Sequence, residues 1–493
     1  MSNLGGIFAG HLRDESIALI DLSPADGPHS VSYPDLDLRC GRLAGGLRAA
    51  GLEPGDRVGI VSQNRSEFLE VVFGTLRSGV VPVPINTRLT RETIAFIAAD
   101  AQLRLVFSDE EHRPLCPESL RRVEFGAGYA EFSTSAPLEV AELPDDAEGI
   151  LLYTSGSTGR PKGVVQSQAS QSWMVHAIAP PPAFVPPGQR ILVAAPLYHM
   201  NGLLSCQLAF VMGAAVVLLP RFDAARYIEA IAEQRCTSIG GVPAMYALVL
   251  QERELLARSD LSCVQRITIG SAPLTGALLD EVQNLFPNAT IMNGYGTTES
   301  GAAAFGMHPE LKPTPPLSLG YPLPDVETRL AGGPDEDEGE LWIRSPGVMR
   351  GYLNLDQTTR RALDDGWYKT GDMMRRDADG FYFFVGRVDD MFTCGGENVY
   401  PGEVESLLER HPSIQQAAVV PIEDRIKGHV PVAFVVRRAD ASLDEDEVKK
   451  FALENGPAYQ HPRRVLFIDR MPLAGGNKID KETLRERSAS LTR

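Results

Sequence analysis

Six cysteines are scattered through 493 residues, at Cys40, Cys116, Cys206, Cys236, Cys263 and Cys394, and no Cys-x-x-Cys pair occurs. Such spacing argues against a disulfide framework or a zinc site and fits reduced thiols. Basic residues are also in deficit. The 47 Lys and Arg face 64 Asp and Glu, a formal net charge of -17 without any basic run. That balance argues against nucleic acid, whose phosphates such a surface repels, but leaves room for a small anion held by a locally cationic loop. The longest apolar run, Leu208 to Leu219, is too short to span a bilayer. Met-Ser-Asn-Leu-Gly-Gly-Ile at the start lacks the charged head and apolar core of a signal peptide, so the cytoplasm is the expected compartment. No internal repeat is evident.

What is present is ordinary globular composition, 43% apolar and 23% charged, over a length that suits two to four domains. In the first half, short apolar runs alternate with amphipathic ones. Val58 to Val61, Val80 to Pro84 and Leu103 to Phe107 read as strands. Residues 65 to 78, with Phe68, Leu69, Val72, Phe73 and Leu76 at helical spacing, and Thr90 to Asp100 read as helices. The rhythm returns with strands near Ile191 to Ala195, Ala215 to Leu219, Ser238 to Gly240, Arg266 to Ile269 and Thr290 to Met292. Alternation of this kind predicts two α/β subdomains built on parallel sheets. After about residue 315 a Pro-rich stretch gives way to β-rich elements, with a solvated acidic turn at Asp335 to Glu338 and a hairpin signal at Asp377 to Gly380. From Arg387 a compact unit of mixed α and β elements follows, so the expected division is 1–386 and 387–493.

The most informative stretch is Tyr153 to Gly163, Tyr-Thr-Ser-Gly-Ser-Thr-Gly-Arg-Pro-Lys-Gly. Glycines at 156 and 159 let the backbone fold back so that N–H groups converge into an anion cup. Thr154, Ser155, Ser157 and Thr158 add hydroxyls, and Arg160 and Lys162 add charge. A Gly/Ser/Thr-rich surface loop has the same composition. The spacing excludes a Walker A loop, because Pro161 stands five residues after Gly156 and Gly163 follows Lys162. Gly149 to Tyr153 reads as a short buried strand feeding the loop.

Four further segments carry candidate chemistry. Asn293 to Glu299 follows a predicted strand and offers close backbone approach at Gly294 and Gly296, a flat face at Tyr295, and an oxygen ligand at Glu299. One carboxylate beside phosphates suits Mg²⁺, though a solvated glutamate in a turn reads equally well. Tyr368 to Asp372 supplies a carboxylate, more often a turn residue when alone. Gly386 to Asp390 leads into Gly395 to Pro401, whose paired glycines suit either a ligand loop or a plain turn. Pro472 to Lys478 ends a flexible loop in a lysine.

Together, in this order and spacing, the five segments resemble the adenylate-forming superfamily, and within it the acyl-CoA synthetases, from about residue 30 to 482. The resemblance implies a large N-terminal domain of two α/β subdomains plus a β-barrel-like part, and a small mobile α+β C-terminal domain hinged at Asp389. It implies that residues 153–163, with Thr154, Ser155, Gly156, Ser157, Thr158, Gly159 and Lys162, hold the β- and γ-phosphates of ATP. Gly270, Ser271, Ala272 and Pro273, with Gly294, Tyr295 and Gly296, would frame adenine. Thr298 and Glu299 would meet phosphate and Mg²⁺, Asp372 the ribose, and Arg387 would stand beside it. Lys478 would bridge the substrate carboxylate and the α-phosphate, and His199 would border the acyl site. Gly395, Gly396 and Glu397 would line the path of coenzyme A.

The implied reaction joins a carboxylic acid to ATP, giving acyl-AMP and pyrophosphate, and then to coenzyme A, in a monomer or homodimer that binds no nucleic acid and does not span a membrane. The implied acyl pocket is His199, Met200, Asn201, Val242, Met245, Gly270, Gly294, Ser300, Gly301, Ala302 and Ala303. Three positions depart from the common pattern: Gln168 for His, His429 for Glu and Gln460 for Lys. Gln168 and the run Gly386 to Met391 are similar to chlorobenzoate–CoA ligases, which points to an aryl or short-to-medium acyl acid. No carboxylate near His199 is available to hold an amino group, which counts against amino acids. An acyl-AMP ligase serving a carrier protein shares every ATP residue, and a non-catalytic nucleotide-binding protein is the alternative of another class.

Overall fold

The computed structural model describes residues 3–13, 15–154, 160–181, 185–301, 303–438, 441–474 and 479–489. Its largest sheet has seven strands. Their order is Thr290–Gly294, Arg266–Gly270, Ser238–Gly241, Arg190–Val193, Ala215–Leu218, Ile17–Asp21 and His29–Ser32. All pairs are parallel except the last. A second, four-stranded parallel sheet runs Val81–Pro84, Arg57–Val61, Leu105–Ser108 and Arg121–Glu124. Helices cover both, as the alternating pattern requires.

Local chemistry explains where these helices start and stop. Ser66–Ser78 buries Phe68, Leu69, Val72, Phe73 and Leu76, and ends at Gly79, whose φ of 78° a side chain would resist. Met200–Met212 is predominantly apolar, as befits a helix enclosed by neighbours, and ends at Gly213 in the same left-handed conformation.

The two α/β units interleave more than the sequence suggests. The first strands of the chain, Ile17–Asp21 and His29–Ser32, join the later, seven-stranded sheet. Phe8, Phe73 and Phe210 meet with ring centroids 5.2 to 5.5 Å apart, so residues from three distant segments fill one core. Fully burying each such ring contributes about 1.5–3 kcal/mol.

Between residues 327 and 387 the sheet is antiparallel. Glu327–Asp335, Glu338–Arg344, Trp367–Arg376 and Leu363–Asp364 form a path, with Tyr382–Arg387 added to Trp367–Arg376. The expected barrel-like part is therefore an open sheet, since among the described residues no pairing joins its edges. The turn at Asp377 to Gly380 is the hairpin expected, with Arg376 paired to Tyr382, and the acidic turn at Asp335 to Glu338 is a hairpin too, with Asp335 paired to Glu338.

The C-terminal unit has its own sheet and core. Strands run Glu397–Val399, Phe392–Cys394, Gly428–Arg437 and Ile414–Asp424, and Arg464–Phe467 lies parallel to Gly428–Arg437. Its helix Glu445–Asn455 begins with a reciprocal cap between Asp444 and Glu447. All six cysteines are free thiols. Among the described residues, no helix is long and apolar enough to cross a membrane.

Candidate active site

Four neighbouring parallel strands end on the same edge of the large sheet, and the expected site residues follow those ends. After Arg190–Val193 come His199, Met200 and Asn201. After Ser238–Gly241 come Val242 and Met245, after Arg266–Gly270 come Ser271 to Pro273, and after Thr290–Gly294 come Tyr295 to Ser300. Ligands of open α/β sheets bind at the carboxyl ends of strands, where loops diverge and backbone groups are available.

Gly270 and Gly294 face each other in register. A Cβ on Gly270 would stand 2.5 Å from the Gly294 carbonyl oxygen, so the close approach of the two strands requires glycine there. Ser271 follows with φ of 63°, an uncommon conformation for a residue with a Cβ that costs on the order of 1–3 kcal/mol. Asn201 Nδ2 donates to Ser271 Oγ at 3.4 Å, joining the His199 side of the edge to this loop. Met200, Val242 and Met245 are buried. Ser300 is 1% exposed, and its hydroxyl accepts from the Thr297 N–H at 3.2 Å while its own N–H donates to Thr297 Oγ1 at 3.0 Å. Ser300 thus shapes the loop from within, and Gly301 (φ 79°) closes it through a bridge to Thr297. Ala302 lies outside the described residues.

A second group gathers around Asp372, which is 4% exposed. The Tyr295 hydroxyl donates to Asp372 Oδ2 at 2.5 Å, and Arg387 Nη1 donates to Oδ1 at 2.7 Å and to the Thr370 carbonyl at 3.0 Å. Burial, reinforced by Asp372, pushes the Tyr295 phenol well above its ordinary range and keeps it a donor. For Arg387, burial works against the charge but Asp372 outweighs it, so the guanidinium is held more firmly protonated. Gly371, with φ of 71°, lets the chain turn under Arg387. Arg387 Nη2 also approaches Asp389 Oδ2 at 3.6 Å, where the C-terminal unit begins.

The third group surrounds the mouth of the Tyr153–Gly163 loop. Strands Glu148–Thr154 and Lys162–Ser167 pair antiparallel, with Thr154 opposite Lys162, so the loop is a hairpin end. Ser155, Gly156, Ser157, Thr158 and Gly159 lie outside the described residues. Thr154 Oγ1 is buried with no partner among the described residues. Lys162 Nζ lies 4.6 Å from the centre of the Tyr352 ring, and the Tyr352 hydroxyl donates to Glu299 Oε1 at 3.1 Å. Gln166 Nε2 donates to the Thr298 carbonyl at 2.7 Å, and the Met349 N–H to the Glu299 carbonyl at 2.7 Å. No group of three or more His, Cys, Asp or Glu gathers among the described residues. Glu299 offers one carboxylate here, which fits a cation whose other ligands are phosphate oxygens and water.

Lys478 lies outside the described residues, but the base of its loop does not. Leu473 bridges Ile479, and Arg88 Nη1 donates to the Ala474 carbonyl at 3.4 Å. Arg88 and Thr87 also flank the Tyr198 phenol, whose ring meets that of His199 at 4.8 Å. The loop base thus rests on the His199 side of the large unit.

The remaining expectations are not gathered here. Gly395 and Gly396, with φ of 64° and 94°, form a two-residue turn between Cys394 and Glu397. Both φ values are positive, as a tight hairpin of this hand demands. The turn and Glu397 are exposed, and the Gly395 N–H donates to Lys427 of the same unit. Sequence reading missed Tyr352, Gln166 and Arg88. Tyr352 is 53 residues from Glu299, and no local spacing links the two.

Comparison with known proteins accounts for this arrangement. A model of the AMP-binding enzyme family matches residues 9–353, and one of the AMP-binding enzyme C-terminal domain matches 403–478. The chain is 33% identical over 472 residues to a feruloyl-CoA synthase of an Amycolatopsis species, covering 94% of each chain. It is 32% identical to the fatty acid–[acyl-carrier-protein] ligase ScoC of Streptomyces coeruleorubidus over 480 residues, covering 93% of this chain and 92% of that one. Among solved structures, the anthranilate CoA ligase AuaEII in complex with anthranoyl-AMP superposes with a TM-score of 0.89 at 25% identity, over 98% of this chain and 97% of that one. The chain belongs to the AMP-binding enzyme family, and within it to the acyl-CoA ligases, enzymes that join an acid to a thiol through an acyl adenylate.

Proposed function

We propose that this enzyme activates an aryl or compact acyl carboxylic acid with ATP and passes the acyl group to coenzyme A. The observation that carries the reading is the convergence, at one sheet edge, of the Tyr295–Asp372–Arg387 group and the Lys162–Tyr352–Glu299 group. In this reading Asp372 accepts from the ribose hydroxyls, and Gly270 to Pro273 and Gly294 to Gly296 border adenine with Tyr295. Thr154 to Gly159, Lys162 and Thr298 hold the phosphates. His199, Met200, Asn201, Val242, Met245 and Ser300 to Ala303 border the acid.

A carboxylate oxygen attacks the α-phosphorus, the bond to the bridging oxygen breaks, and pyrophosphate leaves. Two anions approach each other in this step, so the side chain of Lys478 neutralises charge that grows toward the transition state. Mg²⁺, held by Glu299 and phosphate oxygens, would supply further charge neutralisation. In the second step a thiolate attacks the adenylate carbonyl and AMP leaves. Movement of residues 387–493 about Asp389 would withdraw Lys478 and bring Gly395, Gly396 and Glu397 to the thiol path, separating two steps with different needs.

Aryl preference is supported by Gln168 and the Gly386 to Met391 run, and by the acids in the names of the feruloyl and anthranilate relatives. The likeness to ScoC favours a carrier protein as the alternative acceptor. The test is acid-dependent pyrophosphate release across aryl, short, medium and long-chain acids, with and without coenzyme A. An aryl acid giving the highest kcat/KM and a coenzyme A thioester product is expected. A long-chain optimum overturns the substrate assignment, and turnover only with a carrier protein overturns the acceptor.

A further inference from the structure

Tyr352 touches two opposite charges at once. Its ring centre is 4.6 Å from Lys162 Nζ, and its hydroxyl is 3.1 Å from Glu299 Oε1. The ion pairs among the described residues include neither Lys162 nor Glu299. An ammonium and a carboxylate held by one side chain at a half-buried site attract each other, and direct pairing would turn each away from its ligand. An aromatic face holds an ammonium without neutralising it, and a phenol holds a carboxylate in the same way.

The tyrosine itself is firmly fixed. It is 7% exposed and packs with Val164, Met349 and Tyr368. Its backbone pairs with Val164, two residues beyond Lys162 on the same strand, and its N–H donates to Thr359 Oγ1 at 2.9 Å. Glu299 is fixed from the other side, because the Met349 N–H donates to its carbonyl.

We propose that Tyr352 is a positioning residue that acts as a spacer, keeping Lys162 and Glu299 apart so that one meets phosphate and the other a divalent cation. This rests on the reading of the site as an ATP site. It differs from a structural role because it makes Glu299 the cause of any loss at Lys162.

ATP affinity measured by calorimetry without divalent cation, and Mn²⁺ affinity of the ATP complex measured by electron paramagnetic resonance, test it in the full chain. Tyr352→Phe keeps the ring and loses the hydroxyl. ATP affinity is expected within about twofold of wild type, and Mn²⁺ affinity about tenfold weaker, as for a lost hydrogen bond to a charged group. Tyr352→Leu loses both contacts, and ATP affinity is expected to fall about tenfold. Adding Glu299→Gln to Tyr352→Leu removes the competing charge and is expected to restore metal-free ATP affinity to within about threefold of wild type.

Failure of Glu299→Gln to restore binding overturns the spacer, as does Tyr352→Leu binding ATP like wild type. If Tyr352→Leu does not fold, unchanged Mn²⁺ affinity in Tyr352→Phe overturns it. A wild-type chain that binds no ATP removes the site reading itself, a result distinct from ATP binding that ignores Tyr352.

Discussion

Tyr295 and Asp372 stand 77 residues apart in the chain and share a hydrogen bond of 2.5 Å. The bond ties a loop at the end of a parallel sheet to an antiparallel strand, while Arg387 holds the other carboxylate oxygen at 2.7 Å. Asp372→Asn keeps the shape and removes the charge both partners answer to. ATP KM is expected to rise on the order of tenfold, with the KM for the acid unchanged. Steady-state kinetics with each substrate varied in turn decide it. A parallel rise in both KM values would mean that the loop has shifted instead.

Lys478→Ala separates the two half-reactions. Acid-dependent exchange of pyrophosphate into ATP is expected to fall on the order of 10²–10³-fold. Thioester formation from supplied acyl adenylate should stay near wild type. Equal loss in both steps would count against a C-terminal unit that changes role between them.

Gly270→Ala tests the close approach at the sheet edge. The added methyl meets the Gly294 carbonyl oxygen at 2.5 Å, a contact that the backbone must move to relieve. Overpacking of this kind costs about 1–3 kcal/mol, so a lowered melting temperature together with a raised ATP KM is expected. An unchanged melting temperature would show that the strands separate freely.

Glu409 gives the enzyme a pH dependence. Burial is the largest influence on its carboxyl and raises its pKa to about 7, with Thr275 and the Ala417 N–H bonded to it and Glu405 and Arg438 nearby. Thr275 caps helix Gly276–Leu285 of the large unit, and Arg438 Nη1 meets Glu281 Oε1 of that helix at 2.5 Å. The folded state therefore holds a proton that the unfolded chain releases near 4.5. Stability is fully present at low pH and is lost as pH rises from about 4.5 to about 7, by an amount on the order of 3 kcal/mol. Glu409→Gln should flatten thermal stability between pH 5 and 8 and exceed wild type at pH 8. Parallel curves for the two proteins would place the proton elsewhere.

Much of the fold was legible because its signals are local. Helix 66–78, the alternating strands and the hairpin turn at Asp377 to Gly380 follow from periodicity and turn chemistry that neighbouring residues impose on one another. Lys162, Glu299, Asp372 and Arg387 could be named singly because each sits in a short segment of distinctive composition. The paired glycines Gly395 and Gly396 were legible only as a loop, and the two positive φ values show that it is a tight turn within the C-terminal unit.

The Tyr153–Gly163 loop, with its glycines, hydroxyls and cations, offered a candidate phosphate cup and, read with its companions, the family and its chemistry. That much is determined by the sequence, because the conformational freedom of glycine and the charge of lysine belong to the residues themselves. Tertiary structure alone decided which distant groups share the site. Tyr352 beside Lys162 and Glu299, Tyr295 on Asp372, and Arg88 on the Ala474 carbonyl depend on strand order and packing. So does the return of strands Ile17–Asp21 and His29–Ser32 to the later sheet. Such contacts are set by where a buried apolar surface finds its partner across the whole chain, and no window of sequence contains that information.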